Sequence, residues 1–331
     1  MSTFRFIVKL TMSTRESVAL PNDLRKLWRQ SPLLLASAAL MLAAFVAFLA
    51  GLASDPRLIT GAPAWLKPAK FAISSAIYLT TLAWLASYIQ VWPRWVRWAN
   101  RAIAVAIVLE VAIIAAQAWR GQASHFNVGT PLDAALFSVM GAMIAVLLIA
   151  SIVVLVALWR TPFQDASWGW ALRLGMLISV LGSASGGLML APTPEQQAAL
   201  EAGTDRPLAI GAHTVGAADG GPSLPGLGWS ARKGDLRIPH FVGMHAIQVL
   251  PFLAWLVGRK RNGAVFSLSA SYLGLVLLLA WQAFRGQSVV APDDLTLGVA
   301  AAWLALSAAA LGLTSMKRLP SAAGVAASGS R

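Results

Sequence analysis

The chain of 331 residues contains no cysteine. That excludes disulfides, thiolate metal sites and thiol catalysis. Charge is scarce too: Asp, Glu, Lys and Arg make up 12% of the residues, against roughly 25% in a soluble domain. The H-E-x-x-H helix, the phosphate-binding P-loop, the G-x-G-x-x-G dinucleotide turn and the G-x-S-x-G nucleophile elbow are all missing. The sequence therefore carries none of the short signatures of zinc proteolysis, nucleotide binding or serine hydrolysis.

What is present is apolar. Hydrophobic residues are 57% of the chain and the mean hydropathy is +0.67. Eight apolar runs fall at 33–53, 70–91, 102–119, 133–159, 172–191, 239–257, 264–284 and 295–314. A bilayer-spanning helix needs about 20 such residues. Spanning strands would be about ten residues long and alternating, and these runs are continuous. The fold class expected is all-α, a polytopic transmembrane bundle of eight spans.

Basic residues orient these spans. Alternate loops, starting with the N-terminal segment, hold 17 of the 26 Lys and Arg residues. Positive loops stay cytoplasmic, so both termini are expected in the cytoplasm of a bacterial-type inner membrane. The net charge of +13 then reports topology, and nucleic-acid binding is not expected. Trp92, Trp95, Trp98, Trp159, Trp168 and Trp170 gather at the same ends, as an aromatic belt does.

Two hexapeptides nearly coincide. Gln117-Ala118-Trp119-Arg120-Gly121-Gln122 and Gln282-Ala283-Phe284-Arg285-Gly286-Gln287 each close an apolar run. Upstream, Lys70-Phe71 and Ser75-Ala76-Ile77 align with His240-Phe241 and His245-Ala246-Ile247. Downstream, Pro131 and Asp133 align with Pro292 and Asp294. The order never breaks, which points to a tandem duplication of a four-span unit. The expected organisation is a basic cytoplasmic leader over 1–31, with Met12 a second candidate start. A first four-span half covers 32–165 and a second covers 166–316. A disordered cytoplasmic tail covers 317–331.

One long outer loop, 192–237, interrupts the second half. Thr193-Pro194-Glu195-Gln196 reads as a capped helix start, and Gly203 as its stop. The Gly- and Pro-rich remainder carries Leu224, Leu227 and Trp229, which argue for an ordered lid. Gly182 and Gly186 in the fifth span form a small-residue face for close helix contact.

Chemistry-bearing side chains concentrate at the outer ends. Lys67, Lys70, Arg120, Arg237 and Arg285 could form an electropositive mouth, or could pair with nearby Asp residues. Glu110 lies ten residues before Arg120, so about 15 Å below the outer end. A carboxylate that deep is costly and defaults to a functional role. The expected ligand-binding set is Lys70, Tyr78, Glu110, Gln117, Arg120, Gln122, His245, Gln248, Gln282 and Arg285. His245 is expected to partner Glu110, and Gly182–Gly187 and Pro251 are the candidate helix breaks. The lead reading is a multi-pass protein binding, and potentially transporting, a small anionic or polar ligand. Two alternatives stand beside it. His125, His240 and His245 could hold haem or a divalent metal in a redox protein, or a metal in a membrane-embedded hydrolase.

Overall fold

The computed structural model describes residues 24–203, 208–258 and 260–316. Expectations for 1–23, including the start of the leader and the alternative Met12 start, and for the 317–331 tail lie outside these residues. The protein is an all-α bundle. A short helix α1 (Leu24–Gln30) precedes α2 (Pro32–Ser54), α3 (Leu66–Ala86), α4 (Pro93–Arg120), α5 (Pro131–Arg160) and α6 (Ala166–Ser185). A 3₁₀ turn (Gly186–Leu190) and α7 (Pro194–Ala202) follow. Then come α8 (Arg237–Met244), α9 (Ala246–Val257), α10 (Asn262–Phe284) and α11 (Asp294–Met316). Two small antiparallel pairs, β1 (Leu58–Ile59) with β2 (Ala62–Pro63) and β3 (Thr214–Val215) with β4 (Gly234–Asp235), brace the loops. Seven helices are long and apolar enough to cross a membrane, or eight if α8 and α9 are one bent span.

Neighbouring spans pack as antiparallel hairpins: α2 on α3, α4 on α5, and α10 on α11. α3 also meets α4 and α2 meets α4; likewise α9 meets α10 and α6 meets α10. The largest core cluster runs through α2 to α6 and takes Ile247 from α9. Lipid tails are as apolar as leucine, so close packing and hydrogen bonds, more than burial, hold such helices together.

Backbones come very close between α6 and α8. A Cβ on Gly182 would lie 2.4 Å from the Gly243 carbonyl carbon. The backbones touch there because neither residue has a side chain. The chain breaks beside this contact, with a 49° bend between α8 and α9 at His245. Its freed carbonyls are satisfied laterally. Ser179 donates to the Met244 carbonyl at 2.8 Å, and Tyr272 donates to the Val242 carbonyl at 2.6 Å. Pro251, the candidate kink, sits inside α9. The break lies six residues earlier because side chains from α6 and α10 replace the missing backbone partners. The Gly182–Gly187 stretch is where α6 passes into the 3₁₀ turn.

The hexapeptides form matching corners. Gly121 (φ 73°) and Gly286 (φ 71°) both turn the chain in the left-handed region after a helix, which glycine adopts without steric cost. Gln122 N–H bonds the Gln117 carbonyl, and Gln287 N–H bonds the Gln282 carbonyl. Each glutamine amide also donates six residues ahead, Gln117 to Ala123 at 3.4 Å and Gln282 to Ser288 at 2.9 Å. The next helix then opens with exchanged partners. Thr130 caps α5 and faces Asp133, whereas Asp293 accepts from Thr296 N–H at the start of α11. Arg285 consequently pairs with Asp293, not with Asp294, the residue aligned with Asp133.

The expected capping box is present at α7. Thr193 accepts from Gln196 N–H, Gln196 reaches back, and Gly203 closes the helix with a left-handed φ of 61°.

Candidate functional site

The site lies at the end of the bundle that carries the long loop. Its floor is Glu110, which points inward from α4 and is 4% exposed. After Gly121 the chain folds back into the bundle, and this return brings His125 Nε2 to 3.4 Å from Glu110 Oε1. His245 was the expected partner on depth along the helices. The loop supplies His125 instead, because a segment that re-enters the bundle is invisible to a count of helical rise. Glu110 Oε2 is buried and has no hydrogen-bond partner. Such an atom normally finds a partner, so this oxygen is an unused hydrogen-bond acceptor in the site.

Lys67 from α3 completes the charged floor. Its ammonium is an electrostatic neighbour of Glu110, Asp219 and Arg237. Phe71, one turn on, carries the Lys67 cation at 5.9 Å from its ring and the His125 ring at 5.8 Å. Phe126 and Phe137 flank His125 on the other side. The result is a small polar centre with aromatic walls.

Loop 208–236 covers it. His213 Nδ1 lies 2.6 Å from Asp219 Oδ2, and Asp219 also accepts the backbone N–H groups of His213 and Thr214. The His213 ring stands edge-on to Phe126 at 4.8 Å. Burial holds the His213 imidazole below the ordinary histidine value, against the pull of Asp219. His125 is pushed down further by burial and by Lys67, His213 and His240 around it. Both rings are therefore neutral at pH 7. For Asp219, burial works upward, but the bonds from His213 and Thr214 hold the carboxyl well below the usual range. His240 Nδ1 faces the Gly182 carbonyl at 2.7 Å. A carbonyl only accepts, so His240 carries its proton on Nδ1 and keeps Nε2 as an acceptor.

Two cations fasten this cover. Lys70 donates to the Leu227 carbonyl, and Arg237 donates to the Gly228 carbonyl at 2.7 Å. Arg237 is itself held by Asp235 at 2.6 Å. Trp229 packs on Phe241 at 5.8 Å. These contacts tie loop 208–236 to α3 and α8.

Comparison with protein-family models, curated proteins and solved structures gave no match to this chain. Its function therefore has to be argued from the side chains themselves.

The remaining candidate residues divide by place. Gln117 is fully buried and spends its amide on Asp133 and Ala123. Arg120 bonds Gln117 and pairs with Asp133 at 2.7 Å. Arg285 pairs with Asp293, and Gln282 is spent on Ser288. These four hold the corners together, the paired arrangement weighed beside the electropositive mouth. Gln122 is exposed at the first corner. Tyr78 lies 3.1 Å from Ser151 Oγ, bridging α3 and α5. The His245 ring lies 4.3 Å from Phe241, tilted by 57°, at the bend between α8 and α9, and Gln248 donates to Thr81 at 3.2 Å. Of the candidate metal residues, His125 and His240 are electrostatic neighbours. Among the described residues no group of three or more His, Asp or Glu is placed to hold a metal.

Lys67, His213 and Asp219 stand outside the expected binding set. Lys67 sits one turn before Lys70 and carries the same signal. The His213–Asp219 pair is six residues apart in a Gly-rich loop, with no periodicity to mark it.

Proposed function

We propose that the chain is an eight-span plasma-membrane protein of bacterial type, built by duplication of a four-span unit, with both termini in the cytoplasm. In this reading its outward face holds a lidded site for a small anionic or polar ligand. The observation that carries the reading is the unpartnered Oε2 of Glu110, whose Oε1 faces His125 and whose charge is felt by Lys67, in an aromatic-walled centre near loop 208–236. A ligand that offers a hydrogen-bond donor to Glu110 and an acceptor or negative group to Lys67 fits that pattern. Glu110 and His125 can pass a proton between Oε1 and Nε2, so binding would be proton-linked. The matched corners at Arg120 and Arg285 support the duplication. The metal-hydrolase alternative has no comparable support, because among the described residues no three or more His, Asp or Glu side chains gather into a ligand set.

The test is a thermal-shift screen of the purified protein against small carboxylates, phosphate, zwitterions and amines at pH 6 and 8. A carboxylate, phosphate or zwitterion should stabilise the parent, and the shift should vanish in Glu110→Gln and Lys67→Gln. A panel in which only amines act, or in which both variants respond like the parent, would overturn the reading. A visible absorption spectrum without a haem band is expected. Reporters placed after Arg261 and near Gly220 should read cytoplasmic and external, respectively.

A further inference from the structure

The other end of the bundle carries a surface that the ligand site does not use. α4 has 28 residues, so it is about 42 Å long at 1.5 Å per residue. The hydrocarbon core is about 30 Å thick. The surplus is about eight residues, and it falls on Pro93–Asn100, because Arg94, Arg97 and Arg101 crowd the first nine residues and the apolar stretch begins at Ala102. These first turns stand in the headgroup layer.

Their side chains are sorted by face. At about 100° per residue, Arg94, Arg97, Trp98 and Arg101 fall within one stripe about 100° wide. All four are exposed. Val96, Ala99, Asn100 and Ile103 occupy the opposite side and are buried. The guanidinium of Arg101 lies 5.2 Å from the Trp98 ring, and that of Arg160 lies 4.4 Å from the Trp92 ring. Among the described residues no acid pairs with Arg94, Arg97, Arg101 or Arg160. Asp165, the acid described at this end, is engaged by Ser167 and by the Lys260 backbone. Cations at a helix N-terminus also oppose the helix dipole, and the first turn of α4 has no acidic residue to offset them. Of the three arginines only Arg94 lies in that first turn; the three together, exposed in one stripe without a described protein counter-charge, form a surface complementary to an anion.

We infer that the Arg94–Arg97–Arg101 stripe, with Trp98 and the Trp92–Arg160 pair beside it, binds the phosphodiester headgroups of anionic lipids. The partner has to be a lipid: the stripe lies at headgroup depth, its tryptophans face outward, and arginine forks match phosphate oxygens. Each arginine presents paired N–H donors to a phosphate, while the indole rings sit at the level of the glycerol backbone.

The experiment is native mass spectrometry of the full chain in neutral detergent, titrated with phosphatidylglycerol or phosphatidylcholine. The parent should retain phosphatidylglycerol preferentially. Changing Arg94, Arg97 and Arg101 together to Gln should lower that retention by at least about tenfold, as expected from the electrostatic worth of basic residues at a membrane surface. The same three changed to Lys should keep most of it. A control with Lys26, Arg29 and Arg261 changed to Gln removes equal charge from exposed positions elsewhere and should behave as the parent. All of these positions are exposed, so thermal midpoints in neutral detergent should stay together and exclude misfolding. The inference is overturned if the parent shows no headgroup preference. It is also overturned if the stripe variant retains the lipid, or if the control loses it equally. None of these outcomes bears on the Glu110 site, which lies at the other end of the bundle.

Discussion

Replacing Gly182 by alanine tests the packing that places the site. A Cβ there would stand 2.4 Å from Gly243 C, 2.5 Å from Met244 N and 2.7 Å from Gly243 Cα. All three are backbone atoms, so no side-chain rotation relieves the clash and α8 has to move. Two effects oppose each other. Alanine in place of glycine within a helix gains about 0.5–1 kcal/mol. Overpacking a tight contact costs about 1–3 kcal/mol, and backbone-on-backbone contact belongs at the upper end. The clash therefore wins by about 1–2 kcal/mol, a fall of roughly 2–6 °C in the unfolding midpoint for a chain of this size. The same shift would pull His240 off the Gly182 carbonyl. Gly141→Ala is the control, since a Cβ there meets nothing within 4 Å and the propensity gain stands alone. Thermal unfolding in detergent, followed by helix signal, separates the two. A Gly182→Ala protein as stable as Gly141→Ala would refute the close α6–α8 contact.

Other consequences follow from the loops and corners. Burial holds His125 and His213 below their ordinary value, so below about pH 6.5 the unfolded chain binds more protons than the folded one. Hydrogen-exchange protection of loop 208–236 should hold steady above pH 7 and decline as the pH falls from there; a rise on acidification would contradict this. The lowered Asp219 acts in the same direction, its contribution being lost only at stronger acidity. Arg120→Gln should destabilise by about 1–2 kcal/mol, as expected for losing a hydrogen bond to a charged group, because Asp133 is 2% exposed yet keeps Gln117 and Thr130. Arg285→Gln should unfold close to the parent, since its pair with Asp293 is open to solvent; equal losses at the two corners in a denaturation series would contradict the ranking. Thr193→Ala removes the capping box of α7 and should cost about 1 kcal/mol locally. Faster amide exchange confined to Pro194–Ala202 is the expected readout, and no change there would count against the cap.

The helices were legible because a bilayer imposes a length and a composition that short-range patterns report directly. The caps at Thr193 and Gly203 were legible because their signals lie within one turn of the ends they make. Both corners were visible as repeated hexapeptides, although the register downstream slipped, because Thr and Asp exchange places between Thr130/Asp133 and Asp293/Thr296. The break at His245 was not legible. Ser179 and Tyr272 satisfy its freed carbonyls from other helices, and Pro251, the local signal, points elsewhere. The burial of Glu110 was legible from its depth along the helix. Its companion His125 was not, since helical rise says nothing about a loop that turns back inward. Lys67 and the His213–Asp219 pair reach the site only through tertiary packing of α3 and the lid.

The absence of cysteine allows the central claim to be measured directly. A single cysteine introduced as Glu110→Cys reports on the site without background. A small, charged, membrane-impermeant thiol reagent is added from the side that carries loop 208–236. Val154→Cys, at a fully buried position in the core, is the reference. The account predicts that Glu110→Cys reacts and Val154→Cys does not, and that Lys70→Ala, by releasing the Leu227 carbonyl from the lid, speeds the reaction at position 110. A cysteine at 110 as inert as the one at 154, with or without the lid contact, would show a closed core where the account places a binding site.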